Sequence, residues 1–301
     1  MSIKKSIIIT LISISGLIGM TKTGTSAAQF LKIGPMAGIM GTGESGVANV
    51  RDLSAIHYNP AGLSRYRTQS VTFTQSNWLV NTNYYYFAGS MDFSNAGVVG
   101  FHITTLDYGD MLVRTVEEPD GTGEYFGSQD LSIGLAYSKN LTDRFSIGGQ
   151  VKYISQEIWH MSAATAAIDL GALFITQFNG IRLGMSITNF GGKMMLSGRD
   201  VQFYNDPATE LYGNNDQIPA EYKLNQWPLP LTFRVGLSGE AFDSRRFRLS
   251  WNVDAVHPSD NTEYLNVGSE LEFNRMFYLR TGIRTLFVKN REGGAAFGGG
   301  I

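Results

Sequence analysis

Four histidines and no cysteine leave this 301-residue chain little material for catalysis or metal binding. His57, His102, His160 and His257 stand far apart, at no metal-ligand spacing, and His102 reads as an ordinary lumen-facing polar residue. Gly41-Thr42-Gly43-Glu44-Ser45-Gly46 matches the phosphate-cradling pattern G-x-G-x-x-G letter for letter. Neither the strand before it nor the long helix after it that a dinucleotide fold requires is present, so the match reads as chance. Asn205-Asp206 and Asn214-Asn215-Asp216 carry oxygens fit for calcium but lack the spacing of a calcium loop, and read as solvated turns. No serine sits in a G-x-S-x-G elbow, and no Ser/His/acid set assembles for an esterase. The expectation is a protein with no catalytic activity, no metal and no cofactor.

The elements that would position any site are strands. Ile133, Leu135 and Tyr137 alternate with Gly134, Ala136 and Ser138; Ile181, Leu183, Met185 and Ile187 with Arg182, Gly184, Ser186 and Thr188; Phe247, Leu249, Trp251 and Val253 with Arg248, Ser250, Asn252 and Asp254. Strand side chains point to opposite faces with period two, so each stretch has one apolar and one polar face. The polar face is rich in glycine and full charges, which suits a wet lumen. The fold class expected is all-β, a transmembrane antiparallel β-barrel. Stretches of about 11 residues at roughly 3.3 Å each, tilted near 40°, reach about 28 Å, close to the apolar band of an outer membrane. A soluble jelly roll is the alternative.

With lipid on the apolar side, the other face collects Asp169, Arg182, Arg234, Arg248, Asp254, Glu270, Glu272, Arg280 and Arg284, together with Lys152. Charges of both signs on neighbouring strands can pair across the wall or with a plug. A balanced set gives no ion selectivity, so the first reading is structural and the second is a polar path for a solute.

Turn lengths alternate. Tight turns near residues 139–143, 177–180, 243–245 and 274–275 are interleaved with longer connections, including a medium loop around Trp159 and the longest, residues 191–228. Outer-membrane barrels keep short turns on the periplasmic side and long loops outside. Phe93, Tyr137, Phe145, Phe174, Phe178, Phe242, Phe247, Phe273 and Phe277 fall at the short-turn end, as an interfacial aromatic girdle would.

The N-terminus reads as a signal peptide over residues 1–28: Lys4 and Lys5, an apolar run to Met20, then Thr25-Ser26-Ala27-Ala28. A net charge of −2 argues against a nucleic-acid partner. A mean hydropathy of −0.08 is too polar for a helical membrane protein but suits a barrel, where only alternate residues touch lipid.

Residues 29–67 are unlike the rest and read as an N-terminal hatch, with the barrel over 68–301. Asp52 suits the head of a short helix, Asn59-Pro60 a cap followed by a first helical residue, and Gly62 the end of that turn. Ala28-Gln29-Phe30-Leu31-Lys32-Ile33-Gly34 followed by a D-x-S-A-x-x-x-N-P-A-G-L phrase, matched by Asp52, Ser54, Ala55, Asn59, Pro60, Ala61, Gly62 and Leu63, resembles the PorV/PorQ family. Members of that family are FadL-like outer-membrane barrels, some of which belong to the type IX secretion machinery. Glu44 departs from the family, which is usually small and apolar there.

The resemblance implies about fourteen strands with a helical hatch, whereas roughly eleven complete strands can be counted. The run 295–301 looks like the start of a further strand, so C-terminal strands are expected to be missing. A smaller closed barrel with short extra strands near residues 111–116 and 201–204 is the alternative. By resemblance, the protein sits in the bacterial outer membrane and docks secreted client proteins through its external loops, with the hatch motif as a possible ligand site. The other function considered is a FadL-type passive channel for hydrophobic small molecules.

Overall fold

The computed structural model describes residues 24–50, 52–207, 210, 213, 217–288 and 294–301. Most of the expected signal peptide and the run 214–216 lie outside the described residues. The strands are β1 (Ser70–Asn77), β2 (Asn83–Asp92), β3 (Val98–Leu112), β4 (Tyr125–Asn140), β5 (Phe145–Ile158), β6 (Met161–Ile175), β7 (Arg182–Gly191) and β8 (Ser197–Gly198). They continue with β9 (Gln202–Asn205), β10 (Ile218–Glu221), β11 (Thr232–Asp243), β12 (Phe247–Pro258), β13 (Tyr264–Phe273), β14 (Phe277–Leu286) and β15 (Ala295–Gly300).

A thirteen-stranded antiparallel sheet runs in the order β1-β2-β3-β4-β5-β6-β7-β11-β12-β13-β14-β15, with β8 pairing to β6 off that path. The period-two pattern builds it inside out. On β4, Ile133, Leu135 and Tyr137 are exposed while Ser132, Gly134, Ala136 and Ser138 are buried. Leu135 is 63% exposed and Ser138 not at all. In water this arrangement would leave an apolar surface far larger than a soluble monomer carries. Facing lipid, it is the arrangement a membrane barrel requires.

Curvature follows from contacts with residues 37–66. This short segment touches β3 at Gly100, β5 at Gly148, β6 at Gly171, β7 at Gly184, β11 at Gly236, β13 at Gly268, β14 at Gly282 and β15 at Gly298. Only a sheet wrapped round the segment can bring so many strands to it.

One end carries short connections only, among them residues 141–144, 244–246 and 274–276. Around it Phe93, Tyr137, Phe174, Phe178, Phe242, Phe247, Phe273 and Phe277 are exposed, and Phe145 is half-buried. The Phe247 and Phe273 rings pack at a tilt with centroids 4.9 Å apart. The opposite end carries residues 113–124 and the long excursion 192–231.

Three expectations need correction. The connection at Trp159 is a two-residue turn, Trp159-His160, because β5 and β6 pair out to Ile158 and Met161. The run 111–116 is not an extra strand: β3 ends at Leu112, and Asp107 to Asp110 already form a bulge with Gly109 at φ +71°. Residues 202–205 are extended but pair only with β10, in a separate hairpin outside the wall.

Candidate functional site

Within the hatch, Asp52 Oδ1 accepts from Ser54 N at 2.8 Å, heading the turn that runs into a helix over Ala55–Tyr58. Ser54 and Ala55 are fully buried. Asn59 then caps the turn Pro60–Gly62, its Oδ1 accepting from Ala61 N at 3.2 Å. Its amide donates to Val47 O at 2.9 Å and to Ala172 O of β6 at 3.0 Å, so one side chain ties hatch to hatch and hatch to wall. Gly62 does not end the turn. It stays helical at φ −66° and passes into Leu63–Tyr66, and a Cβ there would strike Val50. Close approach, rather than chain reversal, is what requires this glycine.

The wall makes room in the same way. A Cβ on Gly148 would lie 2.5 Å from Ala61 N and Pro60 C, and Gly268 and Gly282 seat the backbone at Thr42. The G-x-G-x-x-G stretch thus serves as a tight corner, with Gly43 and Glu44 both left-handed at φ 67° and 57°. Glu44, the departure from the family pattern, pairs with Arg284 at 3.2 Å. Burial pushes its carboxyl above the usual range, against the pull of Arg284 and Arg234.

The lumen charges are arranged in pairs. Arg280 bonds Glu270 at 2.6 Å, Arg182 lies 3.2 Å from Glu240, and Arg248 pairs with Glu272. Asp254 accepts from Val47 N of the hatch at 2.9 Å. Lys152 meets Asp169 at 2.9 Å and also bonds Asn189. At that point the β6–β7 ladder is broken by a bulge between Ile168 and Leu170. Asp169 Oδ1 restores the lost bond by accepting from Asn189 N at 2.7 Å, with Asn189 left-handed at φ 63°.

Residues 26–33 form a lid at the long-loop end. Asp260, in the β12–β13 connection, accepts from Ser26 Oγ at 2.7 Å, Gln29 Nε2 at 2.7 Å and Lys32 Nζ at 3.1 Å. Burial acts to raise the Asp260 pKa, but those bonds and the Lys32 charge outweigh it and hold the carboxyl below its ordinary value. Ala28 N donates to Gln156 Oε1 at 3.0 Å, and Gln156 in turn donates to Asp130 at 2.9 Å. At the other end of the hatch, Arg65 reaches Ser146 Oγ and Asp143 O at 2.5 and 2.6 Å, beside a short turn.

Between lid, hatch and wall lies a cavity of about 20 Å³. Phe30, Leu31, Ile56, Tyr84 and Tyr86 give it an apolar side, while Gln150, Lys152, Asp169, Asn189 and Arg234 give it a polar one. That is room for one water and no more. His57 also lines it, and burial, then Arg234 and Lys152, hold its imidazole well below the usual value, so it is neutral. His102 lines it too, bonding Gln150 at 2.8 Å, while His160 in the β5–β6 turn and His257 near the end of β12 lie apart and pair with Asp200 and Glu263.

The lid's anchor Asp260 and the cavity aromatics Tyr84 and Tyr86 escaped the sequence reading. The alternation of inward glycines was visible, but its meaning as a hatch seat was not.

No family model matches the sequence, and no curated protein matches it. Among solved structures the chain is similar to the CymD monoaromatic hydrocarbon channel, at TM-score 0.53 and 13% identity over 85% of this chain and 84% of that one. It is similar also to the Pseudomonas putida toluene transporter TodX, at TM-score 0.50 and 13% identity over 83% and 82%. The fold is FadL-like. At such identities the likeness is one of architecture alone. A Pseudomonas aeruginosa FadL homologue aligns at TM-score 0.47, with 11% identity over 85% of this chain and 81% of that one.

Proposed function

We propose that this protein is a bacterial outer-membrane barrel that admits small hydrophobic molecules, with residues 29–67 as its gate and no catalytic activity. Residues 1–28 would be its export signal and residues 68–301 its wall. The observation that carries the reading is the cavity that the lid residues Phe30 and Leu31 help to line, apolar where they meet Ile56. CymD is described as a monoaromatic hydrocarbon channel and TodX as a toluene transporter, and the shared architecture supports the same class of cargo here. The lid closes the path at rest, since about 20 Å³ cannot hold a benzene ring. The test is uptake of labelled toluene by cells carrying the protein in an otherwise poorly permeable outer membrane. Faster uptake than in cells without it, and faster still with Phe30→Ala, is the expected result. Uptake unchanged in both would end this reading.

A second reading, docking of exported proteins in a type IX-like secretion route, draws on the PorV/PorQ-like phrase from Asp52 to Leu63 and on a lumen that the hatch fills. On that reading, deleting residues 191–228 abolishes client binding and leaves toluene uptake unchanged. On the channel reading, locking the hatch to the wall abolishes uptake.

A further inference from the structure

Two polar atoms at the cavity have nothing to bond. Tyr86 is 1% exposed and Gln150 3% exposed, both line the cavity, and neither the Tyr86 hydroxyl nor Gln150 Oε1 has a hydrogen-bond partner among the described residues. Buried polar groups are almost always paired, so two orphans at one cavity point to something that belongs there. Their neighbours define what it must offer. The Gln150 amide nitrogen lies 2.8 Å from His102 Nδ1, which makes that ring nitrogen the acceptor and leaves His102 Nε2 as donor toward Ser132 Oγ at 3.4 Å. With its amide so engaged, Gln150 presents a bare carbonyl oxygen, which needs a donor. Tyr86, its ring stacked on His102 at 6.0 Å, presents a hydroxyl that can donate.

A group that both donates and accepts satisfies the two together, and a hydroxyl is the smallest that does. The charges around the cavity are engaged elsewhere: Lys152 with Asp169 and Asn189, Arg234 with Thr188 and the Tyr58 ring. A carboxylate is therefore not what the site lacks. The rest of the lining, Phe30, Ile56 and Tyr84, suits an aromatic ring.

Resting on the channel reading, we infer that the cargo is a small aromatic molecule bearing one hydroxyl, not a bare hydrocarbon. Its ring takes the place that the Phe30 ring fills when the lid is shut. Its hydroxyl donates to Gln150 Oε1 and accepts from Tyr86.

Fluorobenzene and 4-fluorophenol differ by that hydroxyl alone, and fluorine NMR reads their binding to the full chain in nanodiscs, corrected for empty nanodiscs. The phenol should bind about tenfold tighter in the wild type and in Phe30→Ala, the variant that opens room for a ring. Tyr86→Phe should erase the preference. If Tyr86→Phe does not fold, Gln150→Met tests the same preference from the other side. Equal binding of the two probes would overturn the hydroxyl assignment while leaving the channel standing, with a single water filling the cavity at rest. Absence of binding by either probe, in both wild type and Phe30→Ala, would overturn the channel reading itself.

Discussion

Asn59→Ala should loosen the hatch without disturbing the wall. The Asn59 side chain is fully buried and makes three hydrogen bonds, two donated to Val47 O and Ala172 O and one accepted from Ala61 N. At about 1 kcal/mol net each, their loss amounts to roughly 3 kcal/mol, and the buried partners left behind push the figure upward. Because every 1.4 kcal/mol is tenfold, the hatch should open about a hundredfold more often. Native-state hydrogen exchange in nanodiscs reads this directly: the Ala61 and Gly62 amides should exchange about a hundredfold faster, while β4 and β5 ladder amides keep their protection. Asn59→Asp sharpens the test. It retains an acceptor for Ala61 N but sets an anion against two carbonyl oxygens, so it should loosen the hatch at least as much as alanine does. Exchange within about threefold of wild type in both variants would refute the claim that this side chain seats the hatch.

Leu135→Arg places a charge on the outer face of β4, where Leu135 is 63% exposed; in lipid this should cost about 2–4 kcal/mol near the midplane, against almost nothing in water. Folding titrations into bilayers decide between the two. Gly148→Ala should destabilise by about 1–3 kcal/mol, since its Cβ would meet hatch backbone. Gly149→Ala, whose Cβ would lie in ordinary contact 3.6 Å from Asp169 O and Leu170, is the matched control and should be near neutral in thermal unfolding. The lid should respond to acid. Because its bonds hold Asp260 below the ordinary value of 3.8, their contribution is complete above that pH and is lost as the pH falls through the lower folded value. The protection factors of the Leu31 and Ile33 amides, both hydrogen-bonded within the lid, should therefore hold steady between pH 7 and about 5 and fall steeply only below about 4, and Asp260→Asn should remove the step.

What could be read from the chain was whatever repeats locally. Alternation on β4, β7 and β12 identifies the lipid face without reference to any partner strand, and the Asn59-Pro60 cap is written in adjacent residues. The eleven strands counted, with the run 295–301 as the start of a twelfth, correspond to β1–β7 and β11–β15 of the sheet. The lid anchor, by contrast, was invisible. Ser26 and Asp260 are 234 residues apart, and nothing in the spacing of either marks the other. The Asn189 bulge likewise depends on Asp169 across a ladder, and an asparagine in left-handed backbone inside a strand leaves no periodic trace. The Tyr86–Gln150 pair was hidden because inward polar residues on a barrel look alike until the hatch selects which of them it covers.

The course of the hatch has a consequence for how the molecule is made. Ser26 is fastened at one mouth and Arg65 at the other, and the backbone between them rests in notches cut into opposite sides of the wall. A cork can be pushed in last, but a thread crossing the full height of the tube and gripped all the way down cannot. The staves must therefore close round it, so that this small helical stretch acts as the former on which the cylinder is wound; one loosened grip leaves the finished tube standing, whereas removal of the whole stretch should show as failed assembly.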